Sequence, residues 1–172
     1  MNFLLKDSLR EWKVTTYVGA TGFEAKIDPG SMITIAGISI ALTMGISKDF
    51  IKKQKCVHFV GVTGAGGYAF KVPCTAVRVA ATDIPATHIY VPFELIEGTN
   101  TYKFVNKTKY LIGTDILRNY HLSLTFSAEY GSGNVKDSIL SLIPHGLVLP
   151  DLKDTEYSLT QIAPNAEELT IT

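Results

Sequence analysis

One acidic residue at the end of an apolar strand is the feature of this sequence best suited to chemistry. Residues 25–31 read as a strand that delivers Asp28 into the turn Asp28-Pro29-Gly30-Ser31. A carboxylate in such a place is costly unless a partner or a reaction needs it. Two interpretations stay open: Asp28 takes part in a reaction, or it is a turn residue. Asp-Pro-Gly is favourable β-turn sequence, with Pro fixing φ and Gly in the left-handed position.

The residues that usually bind metals are scattered. Cys56 and Cys74 are the only thiols, too few for a disulfide scaffold, and neither is paired with a histidine at zinc-site spacing. The histidines, which we expect to be ordinary strand or surface residues, are His58, His88, His121 and His145. The sequence therefore predicts no metal site and no cofactor.

Composition narrows the class of protein. The 172 residues suffice for one domain with a substantial core, or for one domain and an appendage. Apolar residues make up 46% of the chain, and 16 basic side chains balance 16 acidic ones, which argues against nucleic acid and anionic membranes as partners. Residues 1–7 lack the apolar run of a signal peptide, and no later run approaches a membrane span. We therefore expect a cytoplasmic protein.

The first half of the chain predicts strands with one short helix. Val, Ile, Thr, Tyr and Phe dominate, so an all-β fold with one or two short helices is expected. Residues 12–18 and 23–28 form a predicted hairpin that ends at Asp28. Residues 33–35 then form a short strand. A helix over residues 37–44 is closed by Gly45, and the polar residues 48–54 connect onward.

A glycine-tipped hairpin follows, with strand patterns on both sides of residues 63–67. No Lys-Ser/Thr pair and no helix follow these glycines, which argues against a nucleotide loop. With the tip centred on Ala65, Cys56 would face Cys74. That leaves a cross-strand thiol pair, or two unremarkable thiols in a reducing compartment.

The second half adds strands and one helix. An apolar strand over residues 110–113 ends in glycine, and Thr114 is placed to N-cap a helix that runs to Tyr120. Residues 127–134 read as a polar loop. The remaining predicted strands are residues 75–79, 86–95, 102–105, 121–126 and 138–143.

The chain divides into a lead segment (1–11), a domain (12–144) and an acidic C-terminal extension (145–172). Acidic residues outnumber basic ones after Pro150, which is typical of an appendage or a partly ordered tail. The apolar run 147–149 raises the hypothesis of a self-inhibitory or self-processed segment in a partner's groove. The alternative is an extra strand or a packed extension.

The order of these motifs resembles that of the retropepsin-like aspartic proteases, over residues 13–126. Asp28-Pro29-Gly30-Ser31 is similar to that family's catalytic loop, Asp-Thr/Ser-Gly-Ala/Ser. Leu111-Ile112-Gly113, followed by residues 114–117, is similar to its hydrophobic-hydrophobic-Gly strand and helix. The hairpin over residues 56–74 is similar to its flap. The residues that this likeness places at the flap tip are Val62, Thr63, Gly64, Ala65 and Gly66.

The resemblance implies a closed β-barrel of the acid-protease type and an aspartic endopeptidase that hydrolyses peptide bonds in a peptide or protein substrate. Such an enzyme needs two carboxylates that share a proton. Because the chain has no second Asp-x-Gly, the resemblance implies a homodimer with Asp28 of each chain at the two-fold axis. Pro29 departs from the family by lacking a hydroxyl, and Thr114 stands where many relatives have Arg.

Two other functions stay open. Pro29 makes a catalytically silent dimer of the same fold an alternative, acting as a peptide-binding or structural module. An unrelated small β-barrel binding module, with Asp28 as a turn residue only, is another. Ser31 either orients the Asp28 carboxylate or ends the turn, and Asp115 is either a supporting polar group or an ordinary helix-capping residue.

Overall fold

The computed structural model describes residues 1–5, 11–60, 66–128, 135–147, 149–150 and 153–169. Strands dominate these ranges, so the prediction of a mostly β chain is confirmed. The strands are β1 (Asn2–Leu4), β2 (Trp12–Val18), β3 (Thr21–Ile27), β4 (Ile35–Ala36), β5 (Cys56–Val60), β6 (Gly66–Pro73), β7 (Ala76–Val79), β8 (Thr82–Pro85), β9 (His88–Ile96), β10 (Thr101–Phe104), β11 (Tyr110–Ile112), β12 (Tyr120–Ala128), β13 (Val135–Pro144) and β14 (Glu167–Glu168). The helices are α1 (Ile38–Thr43), α2 (Lys48–Lys52), α3 (Thr114–Leu117) and α4 (Leu159–Ile162).

Each of two compact units draws on three separate stretches of chain. Unit 1 comprises Met1–Thr34, Thr75–Ala86 and Tyr110–Leu152. Unit 2 comprises Ile35–Cys74, Thr87–Lys109 and Lys153–Thr172. Among the described strands, the pairings within either unit do not close a barrel.

Unit 1 holds the strand that precedes Asp28. Strands β2 and β3 pair along their full length around Gly19, whose φ of 60° lies in the left-handed region that glycine favours. Strand β11 then runs parallel to β3, with Ile112 beside Ile27. Val14, Ala25 and both isoleucines are buried, so the interior of unit 1 supports the end of β3.

A second sheet of unit 1 has the order β1-β13-β12. Phe3 of β1 lies opposite Leu140 of β13, and both side chains are buried. The lead segment was not predicted to form a strand, because three residues carry too little alternation to identify one. Its pairing with β13, far along the chain, supplies the hydrogen bonds that make it a strand.

Unit 2 is built on the hairpin of β5 and β6, which continues through β9 to β10 and β4. Its centre is a cluster of aromatic side chains in which the Phe70 and Phe93 ring centroids lie 4.4 Å apart. The Tyr102 ring packs against Phe93 and Phe70, with centroid distances of 5.6 and 6.0 Å. The Phe104 ring packs against Phe70 and Tyr102, with centroid distances of 5.8 Å. Such contacts stabilise beyond the area that the rings bury.

Several predicted elements need correction. Residues 48–54 are not a simple connection: Ser47 accepts a hydrogen bond from the Phe50 amide and starts helix α2. Helix α3 is N-capped by Gly113, not Thr114, and ends at Leu117. Strand β8 was missed because Ala80, with φ of 55°, makes the turn after β7 without the usual glycine or asparagine.

The two cysteines do not face each other. The register of the hairpin places Cys56 opposite Phe70, so the predicted centre at Ala65 is wrong, and no disulfide joins Cys56 to Cys74. Burial raises the pKa of Cys56 to about 12, which makes it an unreactive core residue. The flap-tip residues Val62, Thr63, Gly64 and Ala65 lie outside the described residues, and so does most of the predicted loop 127–134.

The C-terminal extension packs on unit 2 over residues 153–169. It contains helix α4, with a capping box between Ser158 and Gln161, and strand β14, parallel to β10. A packed extension is therefore found for this part of the chain. None of the helices in the described ranges has the length and apolar run needed to cross a membrane.

Candidate active site at the Asp28 loop

Asp28 is the first residue after strand β3, and the backbone holds it there. Its amide donates to the carbonyl of Ile112 at 2.9 Å, which continues the parallel pairing of β3 with β11 by one residue. Ile112 is fully buried. The Asp28 side chain keeps 27% of its surface exposed. The carboxylate is therefore available to a partner while its backbone is fixed to the core.

The turn after Asp28 wraps around its carboxylate. The Ser31 amide donates to the Asp28 carbonyl at 3.0 Å, and the Gly30 amide donates to Asp28 Oδ1 at 3.0 Å. Gly30 does not have the left-handed backbone expected from the sequence. Instead, the absence of a side chain at Gly30 lets the Asp28 carboxylate lie close to the Gly30 backbone, since a Cβ at this position would lie 3.1 Å from Asp28 Oδ1. Pro29 is exposed at the corner of the turn.

Ser31 closes the turn and anchors it. Its hydroxyl donates to the Ile33 carbonyl at 2.8 Å, rather than to the Asp28 carboxylate. Its own carbonyl accepts a hydrogen bond from the Thr114 amide at 2.7 Å. Of the two interpretations of Ser31, the described contacts show the structural one, and they extend it by tying the loop to helix α3.

Gly113 lets the backbones of the loop and of β11 meet. A Cβ on Gly113 would lie 2.3 Å from the carbonyl oxygen of Ile33 and 2.7 Å from that of Ser31. Both neighbours are backbone atoms, which cannot rotate away as a side chain can. The glycine that ends the apolar strand is therefore required by the path of the Asp28 loop.

A buried polar network joins the two segments a second time. Thr34, which is fully buried, donates from its amide to Asp115 Oδ2 at 3.0 Å and from its hydroxyl to Asp115 Oδ1 at 2.6 Å. The same hydroxyl accepts from the Gly113 amide at 3.1 Å. Asp115 also accepts from the Ile116 amide at 2.9 Å, so it bonds both to the first turn of helix α3 and to the loop.

Sequence reasoning identified Asp115 mainly as a capping residue and did not identify Thr34 as part of the site. The available signal was a threonine flanked by Ile33 and Ile35, because a buried hydroxyl needs partners. The sequence pattern does not indicate the partner of this hydroxyl, because Asp115 lies 81 residues later in the chain. Only the parallel pairing of β3 with β11 brings that partner within hydrogen-bond distance.

A series of charged residues on and just before the β2–β3 hairpin leads to the Asp28 carboxylate. Lys26 Nζ lies 3.9 Å from Asp28 Oδ2 and 3.4 Å from Glu11 Oε1, while Lys13 Nζ lies 3.1 Å from Glu11 Oε2. The ammonium of Lys13, and then that of Lys26, hold the pKa of Glu11 below its ordinary value. In the single chain, Lys26 is thus the counter-charge of Asp28.

The structure brings together Asp28, Gly30, Ser31, Ile112 and Gly113, all within unit 1. Gly66 lies in unit 2, where it begins β6 opposite Val60. No group of three or more His, Cys, Asp or Glu side chains suited to a metal ion occurs in the described ranges. Comparison with protein-family models, with curated proteins and with solved structures found no match to this chain.

We expect Gly113→Ala to destabilise unit 1 by about 3 kcal/mol, because the new methyl group would overlap two backbone carbonyls. Gly22→Ala is the control: its Cβ would lie 3.3 Å from Tyr17 Cε1, on an exposed ring that can move. The control should stay within about 0.5 kcal/mol of the wild type. Urea denaturation measures both, and equal stability of the two variants would contradict the role given to Gly113.

Thr34→Val should cost about 1–3 kcal/mol, because it keeps the shape of the side chain but leaves the Gly113 amide without its acceptor and removes the hydroxyl's hydrogen bond to Asp115 Oδ1. Thr34→Ser keeps the hydroxyl and should retain the network. Hydrogen exchange of the Gly113 amide separates the two cases: it should accelerate in Thr34→Val alone. Equal acceleration in both variants would show that packing, not the hydroxyl, holds this corner.

Proposed function

We propose that this protein is an aspartic endopeptidase that acts as a homodimer, with Asp28 as its catalytic carboxylate. The observation that carries the proposal is the way in which the surrounding backbone holds Asp28. Its side chain is partly exposed, and its loop is fixed to β11 and α3 through the Ile112 carbonyl, the Thr114 amide and the close packing of Gly113. A group held so rigidly and left open suits acid–base chemistry.

The reaction requires a second carboxylate. Among the described contacts of the Asp28 carboxylate are the Gly30 amide and the Lys26 ammonium, and neither supplies a second carboxyl group. A symmetric dimer would supply the second Asp28. Two such carboxylates cannot both ionise at close range, so one would take a proton from the attacking water while the other protonates the carbonyl oxygen of the scissile bond.

The other parts of the resemblance belong to the same proposal. The β5–β6 hairpin would be the flap that closes over an extended peptide, and the chain would be a barrel of the acid-protease type. Ile112 has no exposed surface, which supports a role in holding the loop rather than in lining a substrate groove.

A catalytically silent dimer of the same fold is the second candidate. Pro29 offers neither a hydroxyl nor an amide N–H to a partner loop, and it is exposed. The ion pair of Lys26 with Asp28 also supplies a counter-charge that a catalytic pair of carboxylates would have to displace. Both observations favour a peptide-binding or structural role over turnover.

Asp28→Asn should reduce peptide cleavage by a hundredfold or more, on the order of the contribution of general acid–base catalysis, while the dimer persists. Cleavage of an unfolded protein, followed by mass spectrometry over acid to neutral pH, gives the rate, and analytical ultracentrifugation gives the mass. Asp83→Asn is the control, since Asp83 is 64% exposed and pairs with Arg78. Unchanged cleavage by Asp28→Asn would refute the assignment.

Pro29→Thr separates the two candidates. If the wild-type dimer is silent because Pro29 cannot bond across the axis, the threonine variant should gain measurable cleavage that Pro29→Ala does not. If the wild type is already active, both variants should cleave at rates similar to the wild type. A strictly monomeric protein at micromolar concentration would exclude both candidates.

A further inference from the structure

Residues 153–169 hold the edge of the β5–β6 hairpin. Cys56 donates from its amide to the Tyr157 carbonyl at 2.6 Å, and the Tyr157 amide donates back to the Cys56 carbonyl at 2.8 Å. Strand β5 also pairs with β6. At Cys56, β5 therefore has a neighbour along each edge, β6 on one side and Tyr157 on the other, and at this residue the C-terminal segment covers what would otherwise be an open sheet edge.

The acidic side chains of the segment reach the second strand of the hairpin and the next strand of the sheet. Asp154 Oδ2 accepts from the Tyr90 hydroxyl on β9 at 2.5 Å and from Lys71 Nζ on β6 at 3.1 Å. Lys71 Nζ also lies 3.3 Å from Glu156 Oε1. The Lys71 side chain is only 18% exposed, so these charge-assisted contacts are partly shielded from salt.

The far end of the segment has its own attachment. Glu168, with 11% of its side chain exposed, lies 2.7 Å from Lys48 Nζ and 2.5 Å from Lys52 Nζ, both on α2. The Glu167 amide donates to the carbonyl of Asn100, just before β10, at 2.8 Å, and the Leu169 amide donates to the carbonyl of Tyr102 on β10 at 2.7 Å. The segment is thus fastened at both ends to unit 2.

The two surfaces match in charge. Residues 153–169 carry four carboxylates and one lysine, and the surface of unit 2 beneath them presents Lys48, Lys52 and Lys71. We propose that residues 153–169 form a strap that braces the β5–β6 hairpin, and that release of this strap loosens the hairpin. This bracing of the hairpin by the strap does not depend on the proposed function. Only the further consequence, that the strap would affect a flap over substrate, rests on that function.

The strap should weaken in acid. Burial raises the pKa of Asp154, but hydrogen bonds from Tyr90 and Lys71, with the nearby charge of His88, outweigh it and hold that pKa below its ordinary value. Burial likewise opposes ionisation of Glu168, yet Lys48 and Lys52 lower its pKa. Both carboxylates therefore stabilise the strap fully above their ordinary pKa values, and this contribution is lost as the pH falls through the lowered ones.

The groups that face these carboxylates do not reverse this direction. Lys71 faces Asp154, and its pKa is raised: burial lowers it, and the carboxylates of Asp154 and Glu156 more than compensate. Tyr102 lies near Glu168, and burial, with the charge of Glu168, raises its pKa to about 12. Both groups thus keep their protonation state across the acid range.

The test compares hydrogen exchange in three full-length proteins at neutral pH: the wild type, the double variant Asp154→Asn/Glu168→Gln, and the control Glu94→Gln/Asp83→Asn. The control removes the same number of charges from exposed ion pairs with Lys103 and Arg78. We expect amide exchange in residues 153–169 and at the start of β5 to rise roughly tenfold or more in the double variant only.

Faster exchange in the strap without any change in β5 would overturn the brace, and so would equal exchange in all three proteins. If the double variant does not fold, Tyr90→Phe removes only the hydroxyl that contacts Asp154 and should give a smaller change in the same peptides. Unchanged peptide cleavage by Asp28→Asn, together with these exchange results, would refute the proposed function while leaving the brace in place.

Discussion

The site depends on the absence of a side chain at Gly113. Two segments separated by about eighty residues approach so closely here that a single methyl group would overlap the carbonyls of Ser31 and Ile33. This approach allows the Thr114 amide to bond the Ser31 carbonyl and the Asp28 amide to bond the Ile112 carbonyl. A loop fixed by backbone atoms on both sides has few conformations left, so its one carboxylate has a defined position.

Beneath the loop, a network of directional hydrogen bonds supplements this packing. Thr34 is buried, and its amide and hydroxyl both have hydrogen-bond partners. The carboxylate oxygens of Asp115 accept hydrogen bonds from Thr34 and from the first turn of α3. In a low-dielectric interior such satisfied bonds are strong, whereas a missing partner would be costly. The Asp28 side chain thus keeps part of its surface exposed, whereas the buried Thr34 and its partner Asp115 hold the loop from the opposite side.

Unit 2 uses electrostatics in a different way. Its aromatic centre around Phe70 and Phe93 stabilises the β5–β6 hairpin from one side, and the C-terminal strap holds its edge. An acidic tail read by composition alone is typical of a solvated extension, because its few apolar residues cannot bury enough surface to order it. Here it is ordered by lysines that lie far away in sequence, at positions 48, 52 and 71.

The sequence by itself determined the local features of this protein. Alternation and turn residues were sufficient for the β2–β3 hairpin, the Asp28 turn, helix α1 and the apolar strand ending in Gly113, because each depends on neighbouring residues. Tertiary structure decided the rest: the strand at Asn2–Leu4, the register that puts Cys56 opposite Phe70, the link from Thr34 to Asp115, and the docking of the tail. The register depends on the length of a turn, and the other three features depend on contacts between residues that are far apart in the chain. A local sequence pattern does not indicate which distant groups will come into contact.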